Sequence, residues 1–157
     1  LATLEPLHEH LFEYKTHMMQ NYGAGVQACY RGPRLYDTPE TQAAVTEVIQ
    51  WYKKYRDILN SDMIHLRRPD ARDWDGFIHV NPHKKEKGLA MFFNPTHQEI
   101  TRTIHIPLYY TGLTQTARIR EKEQKPVTYK LNRDYTVELT VKIPANGYTW
   151  YVVEAAD

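Results

Sequence analysis

Cysteine is almost absent. Cys29 is the single thiol in 157 residues, so the chain has no internal disulfide and no thiolate metal cluster. Long apolar runs are missing as well: none approaches the ~20 residues that a membrane-crossing helix requires. Neither charge is in excess. Twenty Lys and Arg stand against nineteen Asp and Glu, a formal charge of +1, which supplies no field for holding a nucleic acid or an anionic membrane. No Gly-rich phosphate cradle and no nucleophile beside an activating base occur. His8-Glu9-His10 is not the HExxH of a zinc site, and residues two apart on a helix do not share a face. His8, His10 and His17 read as exposed polar side chains. His65, His79 and His105 fall in strand patterns without metal-ligand spacing. No metal and no cofactor is therefore expected.

What is present is a chain long enough to bury roughly 70% of its unfolded surface, rich in rings, with twelve Tyr and three Trp. Such side chains pack an apolar body and leave a polar edge. Residues 6–20 read as a helix opened by Pro6, with Leu7, Leu11, Tyr14 and Met18 at helical spacing, and Gly23 is a natural stop. Residues 25–31 read as a short buried strand. Thr38-Pro39-Glu40 then gives a cap, a first-turn proline and an early carboxylate. The helix it opens, 39–59, carries Val45, Val48, Ile49, Tyr52, Tyr55 and Leu59 on one face. Strand, loop and helix in that order form a βα unit, as in a (β/α) barrel, where the loop after the strand faces substrate.

From residue 63 the apolar period changes to two. Strands are expected at 63–67, 75–81, 88–93, 100–106, 116–121, 126–131, 134–143 and 148–154, punctuated by turn signals such as Asn94-Pro95, Asn132-Arg133-Asp134 and Asn146-Gly147. Tyr135, Val137, Leu139, Val141 and Ile143 alternate with polar residues, as in an antiparallel sheet with one wet face. The fold expected is mainly β with N-terminal helices: an antiparallel β-sandwich over 61–157, preceded over 1–60 by the βα remnant of a (β/α)8 barrel. The first residues show no secretory pattern, and Leu1 reads as the start of an excised piece, the tail of a larger enzyme.

Two places hold candidate binding chemistry. The loop Tyr30-Arg31-Gly32-Pro33-Arg34-Leu35-Tyr36-Asp37 puts guanidinium and phenol groups after the first strand. Arg31 and Arg34 suit carboxylates or hydroxyls through charge-assisted bonds, Tyr30 or Tyr36 suits stacking, and Asp37 completes the loop; the plainer reading makes the arginines bridges to the sandwich. Asp70, Asp73 and Asp75 cluster around Trp74, and the plainer reading pairs Asp70 and Asp73 with Arg67, Arg68 or Arg72. A glycosidase needs two facing carboxyl groups roughly 5–10 Å apart, and the acidic residues of the β region sit instead at turns or on wet strand faces. No catalytic residue is assigned.

The run Trp51-Tyr52-Lys53-Lys54-Tyr55-Arg56-Asp57-Ile58-Leu59, with Asp62-Met63-Ile64-His65-Leu66 after it, resembles the end of α-galactosidase-like (melibiase-type) glycoside hydrolases. Trp74 to Val80 and Gly88 to Pro95 resemble the first long strands of their C-terminal sandwich, and Tyr148 to Glu154 its closing strand. The resemblance implies a carbohydrate-active parent whose two catalytic carboxylates lie on earlier barrel strands, upstream of this sequence. It implies a partner in the same polypeptide, the catalytic barrel, and a periplasmic or secreted parent. The sandwich is then an accessory, non-catalytic domain, or alternatively a carbohydrate-binding module using Trp74, Tyr109 and Tyr110, a reading that requires Tyr109 and Tyr110 to face solvent. The apolar helix stripes, cut from the barrel, are expected to be covered by one another, by the sandwich or by a second copy of the chain.

Overall fold

The computed structural model describes residues 3–156, in two compact units, Leu1–Asn60 and Ser61–Asp157. In the first, a 3₁₀ turn at Leu7–His10 runs directly into helix α1, Leu11–Gly23. Gly23 ends it, where the Ala24 N–H turns back to the Asn21 carbonyl. Helix α2 spans Pro39–Leu59 and begins with a reciprocal cap: Thr38 Oγ1 accepts from the Thr41 N–H at 3.3 Å, and Thr41 Oγ1 accepts from the Thr38 N–H at 3.0 Å. Pro39 at the first helical position has no N–H to satisfy, and this pair of bonds satisfies two of the remaining three orphaned at the helix start. The pair α1–α2 packs together, and Leu7, Tyr14, Met18, Val45, Val48 and Tyr55 are all buried. Most of both stripes is thus covered within the single chain, while Leu11, Ile49 and Tyr52 stay partly exposed.

One expectation fails outright. Residues 25–31 do not form a strand; Arg31 alone occupies an isolated bridge, and Gly25 sits at φ 73°. A strand is held by a neighbour's ladder, not by its own residues. The eight strands of the described residues all lie between Asp62 and Glu154, and each pairs with others of that set, so the short apolar run 25–31 has none to join.

One tether fixes the start of α2. His8 Nδ1 lies 2.8 Å from Asp37 Oδ2, and the same oxygen accepts from the His8 backbone N–H at 3.2 Å. The Thr41 hydroxyl donates to Asp37 Oδ1 at 3.0 Å. Burial works against the Asp37 charge, but the bonds from His8 and Thr41 outweigh it and lower its pKa to about 2. His8 is correspondingly raised, chiefly by its bond to Asp37. His8, expected as an exposed polar side chain, is exposed and is also a structural partner of Asp37.

The second unit contains strands β1 Asp62–Arg67, β2 Asp75–Val80, β3 Glu86–Phe93, β4 Ile100–Pro107, β5 Thr116–Glu121, β6 Val127–Lys130, β7 Thr136–Ile143 and β8 Tyr148–Glu154. Six form one sheet in the order β1-β2-β3-β8-β5-β6, and β4 pairs with β7 in a second; every pairing is antiparallel. Ile78, Ala90, Phe92, Tyr151 and Val153 of the first sheet share one core with Ile104, Ile106, Val137, Leu139, Val141 and Ile143 of the second. Each such aliphatic side chain contributes roughly 1.5–3 kcal/mol on burial. At the ladder's far end Glu154 is buried, yet held by Arg118 at 3.0 Å and Arg120 at 3.4 Å.

The two sheets are knotted at one end by Asn94, which is buried. Its amide Nδ2 donates to the carbonyls of Gln98 at 2.7 Å, Pro144 at 3.0 Å and Ile143 at 3.2 Å. Its Oδ1 accepts from the Thr96 N–H at 2.9 Å and hydroxyl at 2.8 Å, while its own N–H reaches the Gly147 carbonyl at 2.9 Å.

Two outcomes are expected. Asn94→Asp keeps the shape but turns an oxygen toward the carbonyls; it lowers stability in urea unfolding by on the order of 3 kcal/mol, and more than Asn94→Ala does. For the His8–Asp37 tether the two shifts set opposite limits. Raised His8 stabilises fully below its ordinary 6.5 and loses this as pH rises through its higher folded value. Lowered Asp37 stabilises fully above 3.8 and loses this as pH falls toward about 2. Thermal unfolding followed by the helical circular dichroism signal should therefore peak between pH 4 and 6.5, and Asp37→Asn should flatten that peak.

Candidate functional site

The loop 30–37 does not gather its side chains into one site. The Tyr30 hydroxyl is 3.0 Å from that of Tyr22, and its ring meets Tyr14 edge-on at 6.4 Å; burial, then the bond to Tyr22, pushes its phenol upward. Asp37 is spent on His8 and the helix cap. Arg34 Nε lies 3.6 Å from Glu5 Oε1. Arg31 and Tyr36 are exposed, and the Arg31 carbonyl accepts from the Thr3 N–H. What remains toward solvent is one guanidinium, one loosely paired guanidinium and one phenol.

The acidic turn before β2 is a closed structural network. Arg67 Nη2 donates to Asp70 Oδ2 at 2.9 Å, and Arg67 Nη1 to the Trp74 carbonyl at 2.6 Å. Asp70 Oδ1 accepts from the backbone of Arg72 and Asp73. The Arg67 bond, followed by these backbone bonds, holds the Asp70 carboxyl far below its usual range. Asp73 pairs with Arg102 of β4 at 3.1 Å, a partner 29 residues away that local spacing had assigned to Arg67, Arg68 or Arg72. Asp75 is raised by burial. The Trp74 ring rests on Phe92 at 5.8 Å, with the Arg67 guanidinium 6.0 Å from it on the same unit, so it serves the core more than it offers a platform.

In the second unit the large rings that face solvent are Tyr109 and Tyr110, 61% and 63% exposed, on a 3₁₀ turn at Tyr109–Thr111 between β4 and β5. Gly112 follows at φ 77° and lies against Pro82, a place where a side chain would be both strained and crowded. Tyr109 meets Tyr110 edge-on at 5.1 Å and Tyr135 at 5.3 Å. A cavity lies on either side of this trio. One, of about 460 Å³, is bounded by Asp62, Ile64, Val80, Pro82 and Tyr110. The other, of about 490 Å³, is bounded by Gln115, Thr116, Lys130, Asn132, Arg133 and Tyr135. Neither holds two carboxylates. Tyr135, Lys130 and Arg133 were not singled out from the sequence. Tyr135 completes the alternating pattern of β7, which places it in the sheet, whereas it lies just outside at φ 62°. The turn Asn132-Arg133-Asp134 was the only available hint.

No family model and no curated protein matches this chain by sequence. Solved structures match it by shape. A GH27 β-L-arabinopyranosidase from Geobacillus stearothermophilus has a TM-score of 0.62 at 11% identity, over 93% of this chain and 31% of that one. An α-galactosidase I from Mortierella vinacea scores 0.59 at 15% identity, over 90% of this chain and 35% of that one. An α-amylase from Geobacillus thermoleovorans scores 0.63 at 15% identity, over 94% of this chain and 34% of that one. This chain therefore spans about a third of the length of the glycosidases it matches, and the fold it adopts, helices followed by a two-sheet antiparallel region, is one found within α-galactosidase-like and amylase glycosidases.

Proposed function

We propose that this chain is the non-catalytic C-terminal region of a glycoside hydrolase, in which residues 1–60 complete a catalytic (β/α) barrel and the sandwich of 61–157 supports it. The observation that carries this reading is the coverage: nine-tenths of this chain corresponds in shape to a third of several glycosidases. The site chemistry agrees with it. The best-placed acids of the sandwich, Asp70 and Asp73, are each committed to an arginine, and a carboxylate so held is neither a proton donor nor a free nucleophile near neutral pH. The reacting carboxylates then belong to the upstream barrel, the partner in the same polypeptide, and the parent acts on carbohydrate outside the cytoplasm. In that parent Arg31, Arg34 and Tyr36 would sit on a barrel loop at the substrate side, with Tyr30 and Asp37 shaping it.

A second reading, a carbohydrate-binding sandwich, draws on the exposure of Tyr109 and Tyr110; Trp74 adds little to it because of its contacts with Phe92 and Arg67.

Two measurements test the first reading. The 157-residue chain should release no nitrophenol from a panel of nitrophenyl α- and β-glycosides, and turnover would overturn its non-catalytic status. The codons upstream of Leu1 should continue in frame and encode barrel strands bearing two acidic residues. An in-frame stop, or an unrelated domain there, would overturn the parent assignment.

A further inference from the structure

We infer that the groove between residues 114–116 and 130–135 binds a saccharide bearing carboxylates, a uronic-acid-containing oligosaccharide. The inference deepens the carbohydrate-binding reading and rests on it. The walls of the groove are built before any ligand arrives. Thr116 stands opposite Lys130 in the β5–β6 ladder, and the Leu131 N–H donates to the Gln115 carbonyl at 2.8 Å. The turn beyond closes on itself: Tyr135 N–H donates to the Asn132 carbonyl, Asn132 N–H to the Thr136 carbonyl, and Leu108 N–H to the Tyr135 carbonyl, each at 2.9 Å. These bonds hold Tyr135 at φ 62°, a left-handed conformation that costs a bulky residue of order 1 kcal/mol or more and persists only where the surroundings impose it.

That strain is spent on placing a ring. Tyr135 borders the cavity, and Tyr109 meets it edge-on from outside the rim, while Tyr110 borders the neighbouring cavity. The facing segment supplies a hydroxyl and an amide, from Thr116 and Gln115, and the segment that carries Tyr135 supplies two cations, Lys130 and Arg133. Among the described residues neither cation has a carboxylate partner, and no Asp or Glu borders the cavity. The neighbouring Asp134 turns its carboxylate to the N–H and hydroxyl of Thr136, at 3.1 and 2.7 Å. The volume falls within the roughly 300–1,000 Å³ usual for small-molecule sites. The Tyr135 ring fits the apolar face of a pyranose, the amide and hydroxyl fit its OH groups, and a guanidinium fits a carboxylate through paired bonds. A neutral sugar would leave both cations without a counterpart; a polyphosphate would leave the ring without one.

Calorimetric titration of the whole chain with trigalacturonate, maltotriose and tripolyphosphate tests this. Trigalacturonate should bind, more weakly as salt rises, and bind at least about tenfold more tightly than maltotriose or tripolyphosphate. Arg133→Gln and Lys130→Gln, both at exposed positions bordering the groove, should each weaken it about tenfold with the melting temperature unchanged. Absence of trigalacturonate binding, equal affinity for tripolyphosphate or for maltotriose, or binding untouched by both variants would each overturn the inference. The upstream reading frame is a separate measurement. A barrel found upstream of a chain that does not bind trigalacturonate sinks this inference alone, and binding by a chain with no barrel upstream sinks only the parent assignment.

Discussion

The sandwich depends on one buried amide. Two antiparallel sheets facing each other across an apolar core have nothing directional between them, since hydrophobic burial fixes area and not register. Asn94 supplies the direction. It sits at the end of β3 in the large sheet and bonds the carbonyls of Ile143 and Pro144 at the end of β7 in the small one, and that of Gln98 just before β4. All three carbonyls lie at or beyond strand ends, where the ladder can no longer satisfy them, and a buried carbonyl left without a donor costs about 1–3 kcal/mol. One side chain therefore converts a loose stack of two sheets into a single register, and the inward row Val137, Leu139, Val141, Ile143 meets Phe92 and Ile78 because of it.

The same logic governs the charges. Ions in both units are held mostly by partners close to where they are fixed by hydrogen bonds to backbone: Asp70 by Arg67 and two N–H groups, Asp37 by His8 twice over, Glu154 by two arginines across the β5–β8 ladder. The exposed pair among these, Arg67–Asp70, contributes little to stability by itself. The effect of these pairs is to fix geometry, and they use up the carboxylates that could otherwise serve as acids or bases. Lys130 and Arg133, like Arg31, Arg68 and Arg72, have no carboxylate partner among the described residues, and these two border a cavity with Tyr135.

Much of this was legible from local sequence, and the limits of legibility are physical. All eight strands fall within two residues of their expected ends, because alternation and turn residues act over neighbours only. The sheet order was not legible: β8 inserts between β3 and β5, and pairing depends on partners far along the chain. Residues 25–31 show the converse error, a good strand pattern with no partner. The ion pairs His8–Asp37 and Arg102–Asp73 each span 29 residues and leave no trace in spacing. Of the candidate rings, Tyr109 and Tyr110 were visible because they adjoin Gly112 in a turn. Tyr135 was hidden, since a positive φ on tyrosine runs against its own preference and shows only once Leu108, Asn132 and Thr136 are in place.

That last point bears on how function is divided along such a chain. A residue that contradicts its local preference is retained where the surrounding fold holds it, and the holding bonds of Tyr135 come from β4's end and from the turn before β7. The element that joins β4 to β5 carries Tyr109 and Tyr110, so these rings and Tyr135 lie at the same end of the small sheet. The buried amide of Asn94 lies at the opposite end. Register is therefore fixed at one end of the strand pair by a satisfied buried side chain, and the groove we propose as a ligand site lies at the other, so the two draw on different residues.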